Sequence, residues 1–218
     1  MSDEAKDAIP LAAPSDAPIH EVLVWDLPTR LFHWLLVGFV TIAAITAKLG
    51  GLAMQYHEWC GVAILVLVTF RLLWGVVGGT HALFAAFIVR PRTVIAYARS
   101  LLRGNAERCL GHNPLGGWSI IAMLTALGVQ VGTGLFANDD IFTEGPLAHW
   151  VSKATSDVLT HIHHTNKFIL IGLVGVHMAA VAFYYAVKRE NLVTPMVTGY
   201  KRWPTAAGNT KDLSLIHI

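Results

Sequence analysis

Histidine is the side chain that most often binds a transition metal, and it recurs in THIHHTNKFILIGLVGVHM, residues 160 to 178, a run apolar enough to enter a bilayer. His161, His163 and His164 stand at the start of the run and His177 stands within it. On an ideal helix His177 follows His163 by about 21 Å of rise and falls about 40° short of four full turns. Both rings therefore leave on nearly one face, one near each leaflet, as two planar cofactors stacked across a membrane would require. His164 is thirteen residues from His177 and points off that face, so the spacing prefers His163 and leaves His164 open.

The composition supplies the membrane. Of 218 residues 54% are hydrophobic and only 14% charged, and the mean hydropathy of +0.53 lies outside the range of soluble domains. A span needs about 20 mostly apolar residues, and four segments qualify: residues 31–49, 57–78, 115–136 and 165–187. The 79–114 loop carries Arg90, Arg92, Arg99, Arg103 and Arg108 against Glu107, and within it PRTVIAYARSLL has the mixed periodicity of a helix lying on the membrane surface. The 137–163 loop carries Asp139, Asp140, Glu144 and Asp157 against Lys153. The positive-inside rule puts the arginine loop and both termini in the cytoplasm, at a bacterial inner membrane, and Lys188, Arg189, Lys201 and Arg202 agree.

The expected fold is all-α, an integral membrane four-helix transmembrane bundle with a cytoplasmic surface helix and a short helix in the outer loop. Residues 1–21 read as a disordered tail without the basic start of a signal peptide, residues 22–200 as the membrane domain, and residues 201–218 as a C-terminal tail. Its last residues, KDLSLIHI, look appended, and His217 is given no role. Cys60 and Cys109 form no CxxC or CxxCH motif, so neither covalent haem attachment nor a thiolate metal site is supported. The topology puts them on opposite sides, which argues against a disulfide. Any cofactor rests on histidine.

A histidine-ligated haem commonly takes two axial rings, and the other spans supply partners at matching depths. His33 (TRLFHWLL) lies at the cytoplasmic start of the first span and His57 (MQYHEWCG) at the outer start of the second. Two sites follow: His57 with His163 outside, and His33 with His177 inside. One such histidine is an ordinary interface residue; four whose depths pair are harder to explain that way, and His177 deep in hydrocarbon least of all. Arg71, fourteen residues after His57, lies on nearly the same helix face at the inner depth, where it either pairs with a haem propionate or snorkels to the headgroups. Gly38, Gly128, Gly132, Gly172 and Gly175 leave room for porphyrin faces or serve helix packing.

The run TRLFHWLL, then FRLLWG, GHNPLGGW, GLFANDD with EGPLAH, the pair His163 and His177, and VKRENLVTPMVTG together resemble the bacterial cytochrome b561 family, in its nickel–iron hydrogenase b-type cytochrome branch. The resemblance spans about residues 22–200. It implies two non-covalent b haems ligated by His33, His57, His163 and His177, and electron transfer between the quinone pool and a redox partner, a hydrogenase, a c-type cytochrome or another protein of a respiratory chain. Where relatives often have an acid, this chain has His164. His112 beside Asn113 and Pro114 reads mainly as helix-entry chemistry, with a quinone-side role as the minor alternative, and His81, His149 and His161 read as loop or interface residues.

Three other readings stand beside the relay. The chain is a quinone-linked oxidoreductase acting on a small oxidant such as superoxide, with Lys153 and Lys167 as the outer cations; or chiefly the membrane anchor of a hydrogenase or multihaem cytochrome complex; or a histidine-based metal transporter. The last lacks carboxylates inside the spans, apart from Glu58 at an end. In every reading the partners are membrane lipids and redox or metal cargo, not nucleic acid.

Overall fold

The computed structural model describes residues 19–106, 108–141 and 143–204. Four of its helices are long and apolar enough to cross a membrane, and they form the expected helical bundle: α1 (Leu27–Leu49), α2 (Met54–Val77), α5 (Pro114–Gly134) and α6 (Lys153–Ala186). Three shorter helices connect or follow them: α3 (Phe84–Phe87), α4 (Pro91–Leu102) and α7 (Val193–Thr198). The arginine-rich stretch expected to be a surface helix is α4, residue for residue. In the 137–163 loop the expected short helix is a single 3-10 turn, Ala148–Trp150.

Three of the four long helices, α1, α5 and α6, start where a side chain takes up an orphan amide group. Asp26 Oδ1 accepts the Thr29 N–H at 2.8 Å before α1, and Asn113 Oδ1 accepts the Gly116 N–H at 2.7 Å before α5, whose first residue is Pro114. Ser152 Oγ accepts the Thr155 N–H at 3.2 Å, which starts α6 twelve residues ahead of the apolar run expected at 165. The polar turns in between continue the helix with an i,i+4 pair, Lys153 to Asp157.

The contacts divide the chain into two compact units. Unit 1 comprises residues up to Arg30, Leu73–Ile120 and Val181 onward; unit 2 comprises Leu31–Leu72 and Ile121–Ala180. Unit 1 contains an element the sequence reading misses, an antiparallel pair of strands, β1 (Ile19–Leu23) and β2 (Tyr200–Pro204), in the register Ile19↔Pro204 to Leu23↔Tyr200. The boundaries expected after residues 21 and 200 both fall inside these strands; the rest of the two tails, KDLSLIHI included, lies outside the described residues. Gly199, at φ 92 after α7, makes the turn into β2. Its carbonyl accepts from Val24 N at 2.8 Å and Trp25 N at 3.1 Å, and a Cβ there would lie 2.9 Å from the Trp25 carbonyl oxygen, so only glycine serves.

Polar anchors hold unit 1 together. Lys201, 11% exposed, pairs with Glu190 at 2.7 Å and donates to the Cys109 carbonyl at 2.6 Å. Trp74 donates its indole N–H to Asp26 Oδ2 at 3.0 Å. The core of unit 2 is apolar and small-sided: Ala43, Cys60, Ile64, Val68, Leu127 and Val131, with Leu36, Phe39 and Leu170 against them. Cys60 and Cys109 are both buried and not joined in a disulfide.

Candidate haem site

All five residues expected at the site lie in unit 2, and the burial pattern puts each on the inward stripe of its helix. On α1 that stripe includes Phe32, His33, Leu36, Phe39 and Ala43; on α2, His57, Cys60, Ile64, Val68 and Arg71; on α6, His163, Asn166, Leu170 and His177. The 3.6-residue period that relates His57 to Arg71 and His163 to His177 in the sequence is thus expressed as one face of each helix.

His57 and His163 come together. Their ring centroids are 6.0 Å apart with the planes at 86°, and metal–nitrogen bonds of about 2 Å to both rings would require a separation of about 6 Å. Each ring rests one nitrogen on a backbone carbonyl: His57 Nδ1 donates to the Ala43 carbonyl at 2.9 Å, and His163 Nδ1 to the Gln130 carbonyl at 2.9 Å. A carbonyl only accepts, so in both rings the proton sits on Nδ1 and Nε2 carries the lone pair, which in His163 accepts from the Gln130 amide. This is the outer support that metal-binding histidines usually have. His164 is exposed, with its ring 6.1 Å from that of His163.

Gln130 and Asn166, which the sequence reading misses, form a polar network behind His163. Gln130 donates from Nε2 to His163 Nε2 at 3.1 Å, so it occupies the lone pair a metal would take. Asn166, 5% exposed, donates to Gln130 Oε1 at 2.8 Å and to the Ala126 carbonyl at 2.8 Å. Their signal was present: an amide side chain inside an apolar span costs free energy unless it is bonded, and each interrupts such a run.

At the other end of the unit, His33 and His177 are half-buried and within electrostatic range of one another. His33 Nδ1 is buried without a hydrogen-bond partner, a costly state for a polar atom unless something else binds the ring. Arg71 is 3% exposed, turned inward rather than out to headgroups. The remaining histidines stay apart from these. His112 packs against Trp25 at 4.4 Å and Phe87 at 4.8 Å, while Asn113 does the capping. His81 is half-buried, its pKa lowered by burial and by Lys201; His149 and His161 are exposed.

Histidines on the inward faces of three of the four apolar helices are what a helical membrane cytochrome would present. Residues 24–199 match the family model described as Prokaryotic cytochrome b561, and the chain belongs to that family. Its relatives include three described as "Probable Ni/Fe-hydrogenase B-type cytochrome subunit". That of Rhodobacter capsulatus is 24% identical, over 83% of this chain and 81% of the relative. That of Bradyrhizobium diazoefficiens is 24% identical, over 84% and 86%, and that of Azotobacter vinelandii is 25% identical, over 83% and 88%. The chain is an integral membrane protein of electron transport whose family carries haem b.

The residues present fit that group. Among the described residues no three or more His, Cys, Asp or Glu side chains converge as a bare metal ion would need, whereas two facing imidazoles suit an iron whose porphyrin supplies the other nitrogens. There is also room. Gly61, Gly128 and Gly132 are half-buried, yet a Cβ built on any of them meets nothing within 4 Å. Protein interiors are close-packed, so open space beside half-buried glycines marks volume that side chains do not fill.

Proposed function

We propose that this protein conducts electrons across the bacterial inner membrane through two b haems, one held by His57 and His163 and one by His33 and His177, between the quinone pool and a redox partner protein. When bound, each haem would supply a reversible one-electron centre. With both axial positions taken by histidine, no open position remains for substrate, so the protein acts as a relay. The facing rings of His57 and His163, each with its Nδ1 proton on a backbone carbonyl, carry this reading. Those carbonyls fix the tautomer and aim the lone pairs, Arg71 neutralises a propionate, and the apolar stripes exclude water.

The partner proposed first is a hydrogenase, because the relatives' names say so and the chain spans most of their length; a c-type cytochrome is the alternative. Both termini and α4 are assigned to the cytoplasm from the arginine loop. A superoxide-type reaction finds less support. Lys153 is engaged by Asp140 at 2.7 Å and by Asp157, so its charge is compensated, and of the two lysines only Lys167, over the Phe168 ring at 5.1 Å, would remain to attract an anion.

Reduced-minus-oxidised spectra with pyridine haemochrome quantification test the scheme. Wild type should carry two b haems per chain, His163→Ala and His177→Ala about one each, and His164→Ala two. A wild type without haem overturns the relay, and haem loss in His164→Ala but not in His163→Ala overturns the outer pairing.

A further inference from the structure

Where the apolar run of α6 gives way to Lys188 and Arg189, unit 1 holds a cleft of about 540 Å³ between α4, the loop that follows it and the end of α6. Its walls are of two kinds. Leu101, Phe183 and Val187 are apolar, whereas Arg108 and Lys188 bring positive charge. Glu190 also lines it, but its carboxylate is paired with Lys201 at 2.7 Å. Tyr97 and Tyr184 complete the lining with hydroxyls 3.0 Å apart, and Asn113 Nδ2 donates to that of Tyr184 at 2.8 Å. Burial first, and the bond to Tyr184 second, push the Tyr97 phenol far above its ordinary pKa, so it adds no negative charge. Among the described residues, the uncompensated charge of the cleft is positive.

We infer that this cleft seats the phosphate headgroup of an anionic phospholipid, with Arg108 and Lys188 on the phosphate and the first acyl carbons against Phe183 and Val187. Three observations support a lipid. The cleft lies where the apolar run of a spanning helix ends, which is headgroup depth. Its charged side and its apolar side match the two halves of an amphiphile. Beside it, the exposed face of α4 presents Arg92 and Arg99 together with Ile95, 52% exposed, and Leu102, 89% exposed, the pattern of a helix resting on an anionic leaflet. A quinone would leave both cations without a counter-ion, and a zwitterionic headgroup brings a cation of its own.

Native mass spectrometry of the full-length, haem-loaded protein in detergent decides between these occupants. Phosphatidylglycerol should survive delipidating washes better than phosphatidylcholine of the same acyl chains. The R108Q/K188Q variant should lower that retention about thirtyfold, about fivefold for each cation near an anionic headgroup, with the haem spectrum unchanged. Arg108 is exposed, so R108Q alone should fold and show a smaller loss should the double variant fail. Val187→Asn should also weaken retention, and excess inorganic phosphate should not compete, since free phosphate has no acyl contact. Equal retention of the two lipids in wild type, displacement by phosphate alone, or a quinone recovered from the Arg108–Lys188 cleft would overturn the proposal. The haem spectrum reports the relay separately, so failure of one reading is distinguishable from failure of the other.

Discussion

With Gly104 in unit 1 and Gly134 and Gly145 in unit 2 excepted, the glycines of the two units serve opposite ends. In unit 1 they are points where the chain touches itself: a Cβ on Gly75 would lie 2.2 Å from the Phe84 ring, one on Gly79 2.7 Å from Asp26 Oδ2, and one on Gly117 2.7 Å from the Phe87 carbonyl oxygen. In unit 2, Gly61, Gly128 and Gly132 face open space. The polar side chains divide in the same way. Those of unit 1 bond one another, as Lys201 does Glu190 and Tyr97 does Tyr184, whereas in unit 2 His57 and His163 each rest one ring nitrogen on a backbone carbonyl, and Gln130 holds the other nitrogen of His163. Unit 1 is completed by its own side chains; unit 2 is shaped to be completed by something that is not protein.

Filling the space should break that contrast most visibly. Gly132→Leu should cost about one haem per chain in the haemochrome assay while the haem-free protein unfolds no earlier than wild type, whereas Gly117→Ala should leave the haem count alone and destabilise by about 1–3 kcal/mol through overpacking. Retention of both haems by Gly132→Leu would show that its open space is merely lipid-facing. Next in size, Glu190→Gln leaves a nearly buried ammonium without its counter-charge. Because two carbonyls still accept from Lys201, the expected loss is about 2 kcal/mol in thermal unfolding, with spectra unchanged. The smallest effect should come from Asn113→Ala, which removes the cap of α5 and a bond to Tyr184 for about 1 kcal/mol; a variant as stable as wild type would show that His112 and Pro114 start the helix without it.

What was legible in the sequence was what a single helix encodes. The spans, the surface helix from its arginine spacing, and the shared faces of His57 with Arg71 and of His163 with His177 all follow from period and length. Contacts between distant segments were not legible. β1 has a short apolar alternation, Ile19, Val22 and Leu23 beside His20 and Glu21, too brief to declare a strand, and its partner lies at the far end of the chain. The carbonyls of Ala43 and Gln130 that orient the histidines are backbone atoms any residue would supply, so no side chain announces them. The early start of α6 was hidden because hydropathy registers only its apolar part, while Ser152 and the Lys153–Asp157 pair carry the helix through polar residues.

That early start has a mechanical side. At 1.5 Å per residue, the 34 residues of α6 make a rod of about 51 Å, against a hydrocarbon layer of about 30 Å. The surplus is a rigid spar continuous with the backbone that bears His163 and His177, with no joint between. A protein that grips its tip at Lys153 holds the lever arm of both rings, and a twist of the spar turns them together.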